Sequence, residues 1–152
     1  MVSPSPRAEG RGSSLSQTLS DLLQGAGLGK ADTIRVTGPA GLAALLWFCR
    51  HGYEQVGYVS TGRGLCEDGD LLLVPQTCTV GELEHILQSG PRPRPGGVLI
   101  VQTPQEVSES GRDPVHDLLG RAGYHVERCL HGRRRELHVA RRSGRPQDKM
   151  AA

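Results

Sequence analysis

The chain has 152 residues, of which 36% are apolar and 3% aromatic, and it contains 21 glycines and 10 prolines. This length allows one domain with a sizeable core that needs no disulfide or metal for support. The formal net charge is +2, but residues 1–111 carry 8 basic and 11 acidic side chains, while residues 112–152 carry 10 and 5. No apolar run approaches membrane-spanning length, so we expect no membrane association.

Both ends of the sequence are predicted to lie outside the folded domain. Residues 1–13 are rich in Ser, Pro, Gly and Arg and offer little to bury, so we expect a disordered tail, and residues 143–152 form a second tail. The domain between them, residues 14–142, opens with leucines at helical spacing: Leu15, Leu19, Leu22 and Leu23. This pattern predicts a short amphipathic helix that packs on a sheet.

The stretch 32–60 predicts a strand, a glycine turn, a helix and a second strand. A β-branched run over residues 33–36 leads into Gly38 and Gly41. Such a βαβ unit opens the parallel sheet of nucleotide-binding α/β proteins. Gly38 would let the chain turn sharply, and Gly41 would let the helix start lie close to the sheet or to a ligand. The helix, from about residue 40 to 50, is apolar on most faces and is predicted to be mostly buried.

The later segments alternate between strands and helices. Residues 70–74 form a continuous apolar run, which is typical of a strand buried on both faces. Thr79 and Glu82 have the spacing of a capping box, and Asp113 followed by Pro114 predicts the start of another helix. The remaining predicted segments are strands over 55–59 and 98–102, loops over 61–69, 91–97 and 103–112, and an antiparallel hairpin over 124–130 and 135–141. The predicted sheet order is second, first, third, fourth strand and then the hairpin.

The four cysteines give no sign of a disulfide framework or a metal site. They are 17, 12 and 51 positions apart, and no pair has metal-ligand spacing: Cys49, Cys66, Cys78 and Cys129. The sequence shows no signal peptide, so we expect reduced thiols in a cytoplasmic protein.

The histidines do not define a catalytic or metal site by their spacing. His125, His131 and His138 lie on or near the predicted hairpin, but strand alternation alone does not bring them onto one ion, so no metal is predicted. No Ser-His-Asp or Cys-His arrangement follows from the sequence. The catalytic residues stay unassigned, with His85 and His116 as candidates for a general base.

Several motifs in the second half of the chain occur together in one known family. Pro95-Gly96-Gly97 turns into an apolar strand, Ala122-Gly123-Tyr124 ends a helix, and a hairpin closes the domain. With these motifs, residues 70–141 resemble the C-terminal half of a class I S-adenosylmethionine-dependent methyltransferase, and residues 32–60 resemble the family's first βαβ unit. The resemblance implies a Rossmann-like three-layer α/β sandwich, with a mostly parallel sheet and a C-terminal antiparallel hairpin.

The resemblance also implies where the cofactor S-adenosylmethionine would bind. In open α/β sheets, ligands bind at the carboxyl ends of the strands, beside the glycine turn. The positions of this chain that match the family's cofactor-binding residues are Gly38, Ala40, Gly41, Ser60, Asp70 and Pro75.

The sequence departs from the family's cofactor motifs at two acidic positions. Val36 stands where an acid usually begins the glycine motif, and Ser60 or Thr61 stands where an acid usually ends the second strand. Each loss removes a charge-assisted hydrogen bond of on the order of 1.5–3 kcal/mol, and two losses weaken binding by on the order of a hundredfold or more. Glu67, Asp68 or a partner chain would have to substitute.

The segment between the second and third strands is too short to contain the family's next helix, strand and helix, so one strand is predicted to be missing. Two functions stay open: a degenerate, non-catalytic module that binds a protein partner or a second copy, and an active S-adenosylmethionine-dependent methyltransferase. The interface of such a module would be the apolar face of residues 15–23 or the edge left by the missing strand.

Two further ligands are compatible with the sequence. The glycine turn also fits a dinucleotide-binding turn, although no acid ends the second strand to hold a ribose. Nucleic acid would bind through arginines in and beside the hairpin: Arg133, Arg134, Arg135, Arg141 and Arg142.

Overall fold

The computed structural model describes residues 19–60, 66–105 and 113–144. The predicted N-terminal tail, Leu15 and most of the predicted C-terminal tail lie outside these ranges. The helices are α1 (19–25 in the described part), α2 (Gly41–Arg50), α3 (Val80–Ser89) and α4 (Pro114–Arg121). The strands are β1 (Thr33–Val36), β2 (Gln55–Tyr58), β3 (Cys66–Glu67), β4 (Leu71–Thr77), β5 (Pro91–Arg92), β6 (Val98–Pro104), β7 (Tyr124–His131) and β8 (Arg135–Arg142).

Six strands form one sheet in the order β2-β1-β4-β6-β8-β7, which confirms the predicted order. The first four are parallel, and β8 runs antiparallel to both of its neighbours. Two segments predicted as loops contribute strands instead, because β3 and β5 pair in a separate parallel sheet. β6 also extends through Thr103 and Pro104, which were predicted to begin a polar loop; residues 106–112 of that loop lie outside the described residues.

Helices cover both faces of the large sheet, so the three-layer sandwich is confirmed. Alternate residues of the central strands face opposite cores, as the two-residue strand period requires. Leu71 and Leu73 pack in a cluster with α1 and α2, whereas Leu72 and Val74 pack in a second cluster with α3 and α4. None of the described helices is both long and apolar enough to cross a membrane.

Three local predictions about helices are confirmed. In α1, Leu22 and Leu23 are buried against the sheet, with exposed fractions of 2% and 0%. The capping box at the start of α3 is complete, since Thr79 Oγ1 accepts from the Glu82 amide and the Glu82 carboxylate accepts from the Thr79 amide. Asp113 caps α4 by accepting from the Val115 amide at 2.9 Å.

The prediction that α2 is mostly buried is wrong. Within this helix only Gly41 and Phe48 are fully buried, while Leu42 and Leu46 are 69% and 48% exposed. Cys49 is exposed as well. The helix packs on β1, β2 and β4 near the edge of the sheet, and its outward-facing leucines stay exposed, so its apolar composition exceeds what the sheet covers.

Candidate functional site

The glycine turn forms at the carboxyl edge of the parallel strands, as predicted. Gly38 has φ +97°, which L side chains rarely adopt, and its carbonyl accepts a hydrogen bond from the Gly41 amide at 3.1 Å. Thr37 is fully buried and fixes the turn, because its hydroxyl donates to the Val59 carbonyl. Val36, at the position of the family's acid, is fully buried in the apolar cluster. The residue that leads into the turn is therefore apolar and buried, and it offers no carboxylate to a ligand.

Two side chains from neighbouring strands lie over this turn. A Cβ at Gly38 would come within 2.3 Å of Gln76 Oε1, and a Cβ at Gly41 within 2.7 Å of the Tyr58 ring. The Tyr58 hydroxyl donates to the Gly38 carbonyl at 3.2 Å. Both glycines thus make room for the chain's own side chains, Gln76 at the first and Tyr58 at the second.

Gln76 lies in an irregular segment of β4. The pairing of β4 with β6 shifts register between Val74 and Thr77, and Pro75, which has no amide hydrogen, lies in the shifted segment. The Pro75 carbonyl accepts from the Gln102 side chain at 2.9 Å. Gln76 Oε1 is buried and has no hydrogen-bond partner among the described residues. Because buried oxygens are normally paired, this acceptor is available to a donor from a ligand.

A cavity of about 470 Å³ opens beside Gln76, between the turn and α3. It is lined by Gly38, Pro39, Gln76, Cys78, Thr79, Gly81, Glu82, His85 and Ile86. Burial, together with Glu82, raises the pKa of the Cys78 thiol to about 11, so this cysteine is not a thiolate nucleophile at neutral pH. Glu82 is held in the capping box of α3. The cavity therefore offers hydrogen-bonding groups to a ligand, and His85 is the one histidine in its lining.

The structure brings together most of the predicted cofactor positions but not all of them. Gly38, Ala40, Gly41 and Pro75 lie at the carboxyl edge, and Ser60 is exposed at the same edge just after β2. Ala40 is the N-cap of α2 and supplies no side-chain hydrogen bond to the helix.

Asp70 lies at the opposite edge, so its predicted place beside Pro75 is wrong. It precedes β4, and its carboxylate accepts from the Thr33 amide at the start of β1 at 2.8 Å and pairs with Arg94. Glu67 and Asp68, the suggested replacements for the missing acids, are at this amino edge too, where they pair with Arg142 and Arg35. None of these three carboxylates belongs to the cleft.

The basic residues of the hairpin divide into two groups. Arg133, Arg134 and Arg135 are exposed in and beside the turn between β7 and β8. Arg141 instead pairs with Glu127, and Arg142 pairs with Glu67, so both are used within the fold. Binding of an anionic partner through the exposed group stays a prediction.

Methyltransferases are among the solved structures that share this architecture. Ribosomal protein L11 methylase from Lactobacillus delbrueckii subsp. bulgaricus superposes with a TM-score of 0.60 at 10% identity, covering 85% of this chain and 79% of that one. Magnesium protoporphyrin IX methyltransferase from Synechocystis, with bound SAH, gives 0.52 at 11% identity, covering 86% and 83%. The chain has a class I methyltransferase-like fold. No family model matches the sequence, and no curated protein matches it either.

Within the methyltransferase-like fold, the residues at the turn do not fit S-adenosylmethionine in the manner that the resemblance implies. Val36 is apolar and buried at one acidic position, and Glu67 and Asp68, the suggested replacements for the missing acids, lie at the amino edge of the sheet. Gln76 and Tyr58 occupy the space over the two glycines. Sequence reasoning missed both side chains, although a proline inside a strand, Pro75, was a signal for the irregular segment.

Proposed function

We propose that this chain is a non-catalytic methyltransferase-fold module that associates with a second copy of itself through the β2 edge of the sheet. The observation that carries the proposal is the position of Tyr58. The Tyr58 ring packs against Gly41 in the glycine turn. Tyr58 also belongs to the edge strand β2, where it is 49% exposed. A residue that closes the turn thereby also supplies apolar surface at the edge.

Three large apolar side chains are exposed beside this edge, and together they define the β2 patch: Leu42, Leu46 and Tyr58. Leu42 and Leu46 are one helical turn apart in α2, so they lie on the same face of the helix. The Tyr58 ring lies over Gly41, at the start of α2, and α2 packs on β2, so the tyrosine and the two leucines belong to the two elements at this edge of the sheet. Grouped exposed apolar side chains of this kind mark interaction sites, whereas single ones do not.

The two edges of the sheet differ in how they resist pairing. The outer edge of β2 pairs with no strand in the described part of the chain, and its residues Gln55–Tyr58 include no charge and no proline. At the other edge, β7 carries Glu127 and Arg128 and has a bulge between Val126 and Arg128. Charges and bulges protect edge strands from pairing with other chains. The protection of β7 and its absence from β2 support a two-fold dimer in which two β2 strands meet.

A second candidate function is supported by Gln76. Its buried, unpartnered Oε1 faces the turn beside a cavity of about 470 Å³, a volume within the range of small-molecule sites. An ammonium or amide donor of a ligand would satisfy this oxygen. S-adenosylmethionine carries such an ammonium group and is the ligand to test, with the amide of Gln76 moving aside from Gly38 to admit it.

Light scattering coupled to size-exclusion chromatography, over a range of concentrations, tests the dimer. We expect the wild-type chain to give the mass of two copies and Leu46→Glu to give the mass of one, because the substitution puts a charge in the β2 patch. His125→Glu, at an exposed site on β7, is the matched control and should remain dimeric. A wild-type protein that is monomeric throughout, or a dimer that survives Leu46→Glu, contradicts the proposal.

Isothermal titration with S-adenosylmethionine and S-adenosylhomocysteine separates the two candidates. For a non-catalytic module we expect no heat up to millimolar ligand. Micromolar binding that is lost in Gln76→Leu would favour the second candidate instead. Because Gln76→Leu keeps the size of the side chain, loss of binding in that variant would report the missing acceptor.

A further inference from the structure

A group of potential metal ligands lies between α4 and the β7–β8 hairpin, away from the glycine turn. One nitrogen of His116, the Sγ of Cys129 and one nitrogen of His138 lie within 4.8 Å of one another. His138 is fully buried, and Cys129 is partly buried. Histidine nitrogen and cysteine sulfur are the ligand types that zinc-class ions take in proteins.

The β-bulge in β7 explains why strand alternation did not reveal this group. The register of β7 against β8 shifts between Val126 and Arg128, and after the shift Cys129 lies opposite His138. Without the extra residue, Val126 and Cys129 would point to opposite faces. With it, Cys129 joins His138 on the face that α4 covers, where His116 is located.

We propose that His116, Cys129 and His138 bind one divalent zinc-class ion, with Glu136 as the fourth ligand. The Cys129 Sγ is 3.6 Å from His138 Nδ1. A tetrahedral zinc with bonds of about 2.3 Å to sulfur and 2.0–2.1 Å to nitrogen separates these two atoms by about 3.6 Å. In the ion-free chain the two atoms are within hydrogen-bond distance for sulfur, and their separation is also that of two ligands on one ion.

Two polar atoms support an ion at this position. His116 Nε2 is buried and makes no hydrogen bond to the described residues, although the Asp113 carboxylate lies 3.5 Å from it, and the His116 ring packs edge-on against that of His138 at 5.4 Å between centroids. His138 Nε2 shares a hydrogen bond of 3.0 Å with the buried Thr103 hydroxyl. This bond leaves His138 Nδ1 turned toward Cys129, as second-sphere partners of metal-bound histidines do.

The charge and the position of Glu136 make it the fourth ligand of the proposed ion. Its side chain is only 12% exposed, and it belongs with Cys129 and His131 to a second group of ligand atoms within 4.8 Å. His131, which pairs with Glu136 at 2.9 Å, is 63% exposed, so it lies on the outer side of the carboxylate. One thiolate and one carboxylate neutralise a divalent ion, and a poorly exposed carboxylate is stabilised by such a charge. The ion would tie α4 to the hairpin.

Cobalt substitution tests the site directly. We expect the purified, metal-free chain to bind one Co²⁺, with the absorption of a tetrahedral site and a sulfur-to-cobalt charge-transfer band, and Zn²⁺ to displace it. Cys129→Ser should remove the band, and His116→Gln should weaken binding. Cys66→Ser and His125→Gln are the matched controls and should keep both properties. A wild-type chain without the band, or a band that survives Cys129→Ser, overturns the proposal.

A measurement on the wild-type chain avoids any dependence on how the variants fold. Alkylation followed by mass spectrometry gives the reaction rate of each cysteine with and without Zn²⁺. We expect Zn²⁺ to slow the alkylation of Cys129 by about tenfold or more, since a metal-bound thiolate is withdrawn from reaction, and to leave the exposed Cys49 unchanged. Equal rates at Cys129 with and without Zn²⁺ contradict the site. Thr103→Val should weaken zinc affinity by about 10–100-fold if Thr103 orients His138.

Discussion

The Tyr58 hydroxyl donates a hydrogen bond to the Gly38 carbonyl at 3.2 Å, which joins the edge strand β2 to the glycine turn of the neighbouring strand. The same ring lies over Gly41. The position of this tyrosine makes the turn part of the packed structure and gives the edge of the sheet a half-exposed aromatic surface. Substitutions at Tyr58 therefore distinguish stability of the turn from association.

We expect Tyr58→Phe to lower the free energy of unfolding by about 0.5–1 kcal/mol, because it removes one hydrogen bond and keeps the ring. Because Tyr58 is half exposed, the loss of unfolding free energy should lie at the low end of the range for a hydrogen bond. Urea denaturation measures the change. Light scattering on the same variant should still give a dimer, since the apolar surface is unchanged. A monomeric Tyr58→Phe would mean that the hydroxyl, and not the ring, contributes to the interface.

The buried thiol of Cys78 should make the protein less stable in alkaline solution. Burial raises its pKa from 9.0 to about 11 in the folded chain, so the unfolded chain releases the proton first as the pH rises. The stability that depends on the neutral thiol is complete below pH 9 and is lost as the pH rises toward about 11. A shift of this size corresponds to on the order of 2–3 kcal/mol.

Urea denaturation of the wild type and Cys78→Ala, below pH 9 and near pH 11, measures this loss. The free energy of unfolding of the wild type should fall relative to that of Cys78→Ala over this interval. Burial also raises the pKa of Tyr124, to about 12, but this residue is present in both proteins and cancels in the difference. Parallel pH profiles for the two proteins would assign the alkaline loss to other groups.

The capping box of α3 should contribute measurably to stability. We expect Thr79→Ala to lower the free energy of unfolding by about 1 kcal/mol, since the Glu82 amide loses its acceptor. Thr79→Ser keeps the hydroxyl and is the matched control, with a change of a few tenths of that value at most. Thermal and urea denaturation of the three proteins check this ranking. Equal losses in the two variants would attribute the effect to the threonine methyl group.

The sequence predicted those features that depend on local pattern. The βαβ unit, the caps at Thr79 and Asp113 and the hairpin follow from periodicity, glycine and capping residues, each of which acts within a few positions. The burial of α2 was predicted wrongly because it depends on how many strands lie beneath the helix, which the composition of the helix does not encode. Leu42 and Leu46 are exposed for that reason.

The candidate sites were harder to predict because their side chains lie at shifts of strand register. The register of β4 against β6 shifts by two residues around Gln76, and one extra residue near Arg128 moves Cys129 onto the face of His138. A one-residue bulge such as that in β7 changes the face of every later residue in its strand, so alternation read from the sequence fails beyond it. Asp70 is a different case: it precedes its strand, and that order already assigns it to the amino edge.

The contact between Gly38 and Gln76 can be measured by a double-mutant cycle. Gly38→Ala should lower the free energy of unfolding by at least about 1–2 kcal/mol, because alanine is strained at φ +97°. The new Cβ would also meet the Gln76 amide, adding to that cost. Gln76→Ala alone should cost little or stabilise, since it removes a buried oxygen without a partner.

The double variant Gly38→Ala with Gln76→Ala keeps the backbone strain and loses the collision. Its cost should therefore be smaller than the sum of the two single costs by about 0.5–3 kcal/mol, as for residues in direct contact. Urea denaturation of the four proteins gives this coupling energy. Additive costs would mean that the Gln76 side chain leaves the turn at no expense, which would open the cavity toward Gly38 and strengthen the case for a ligand there.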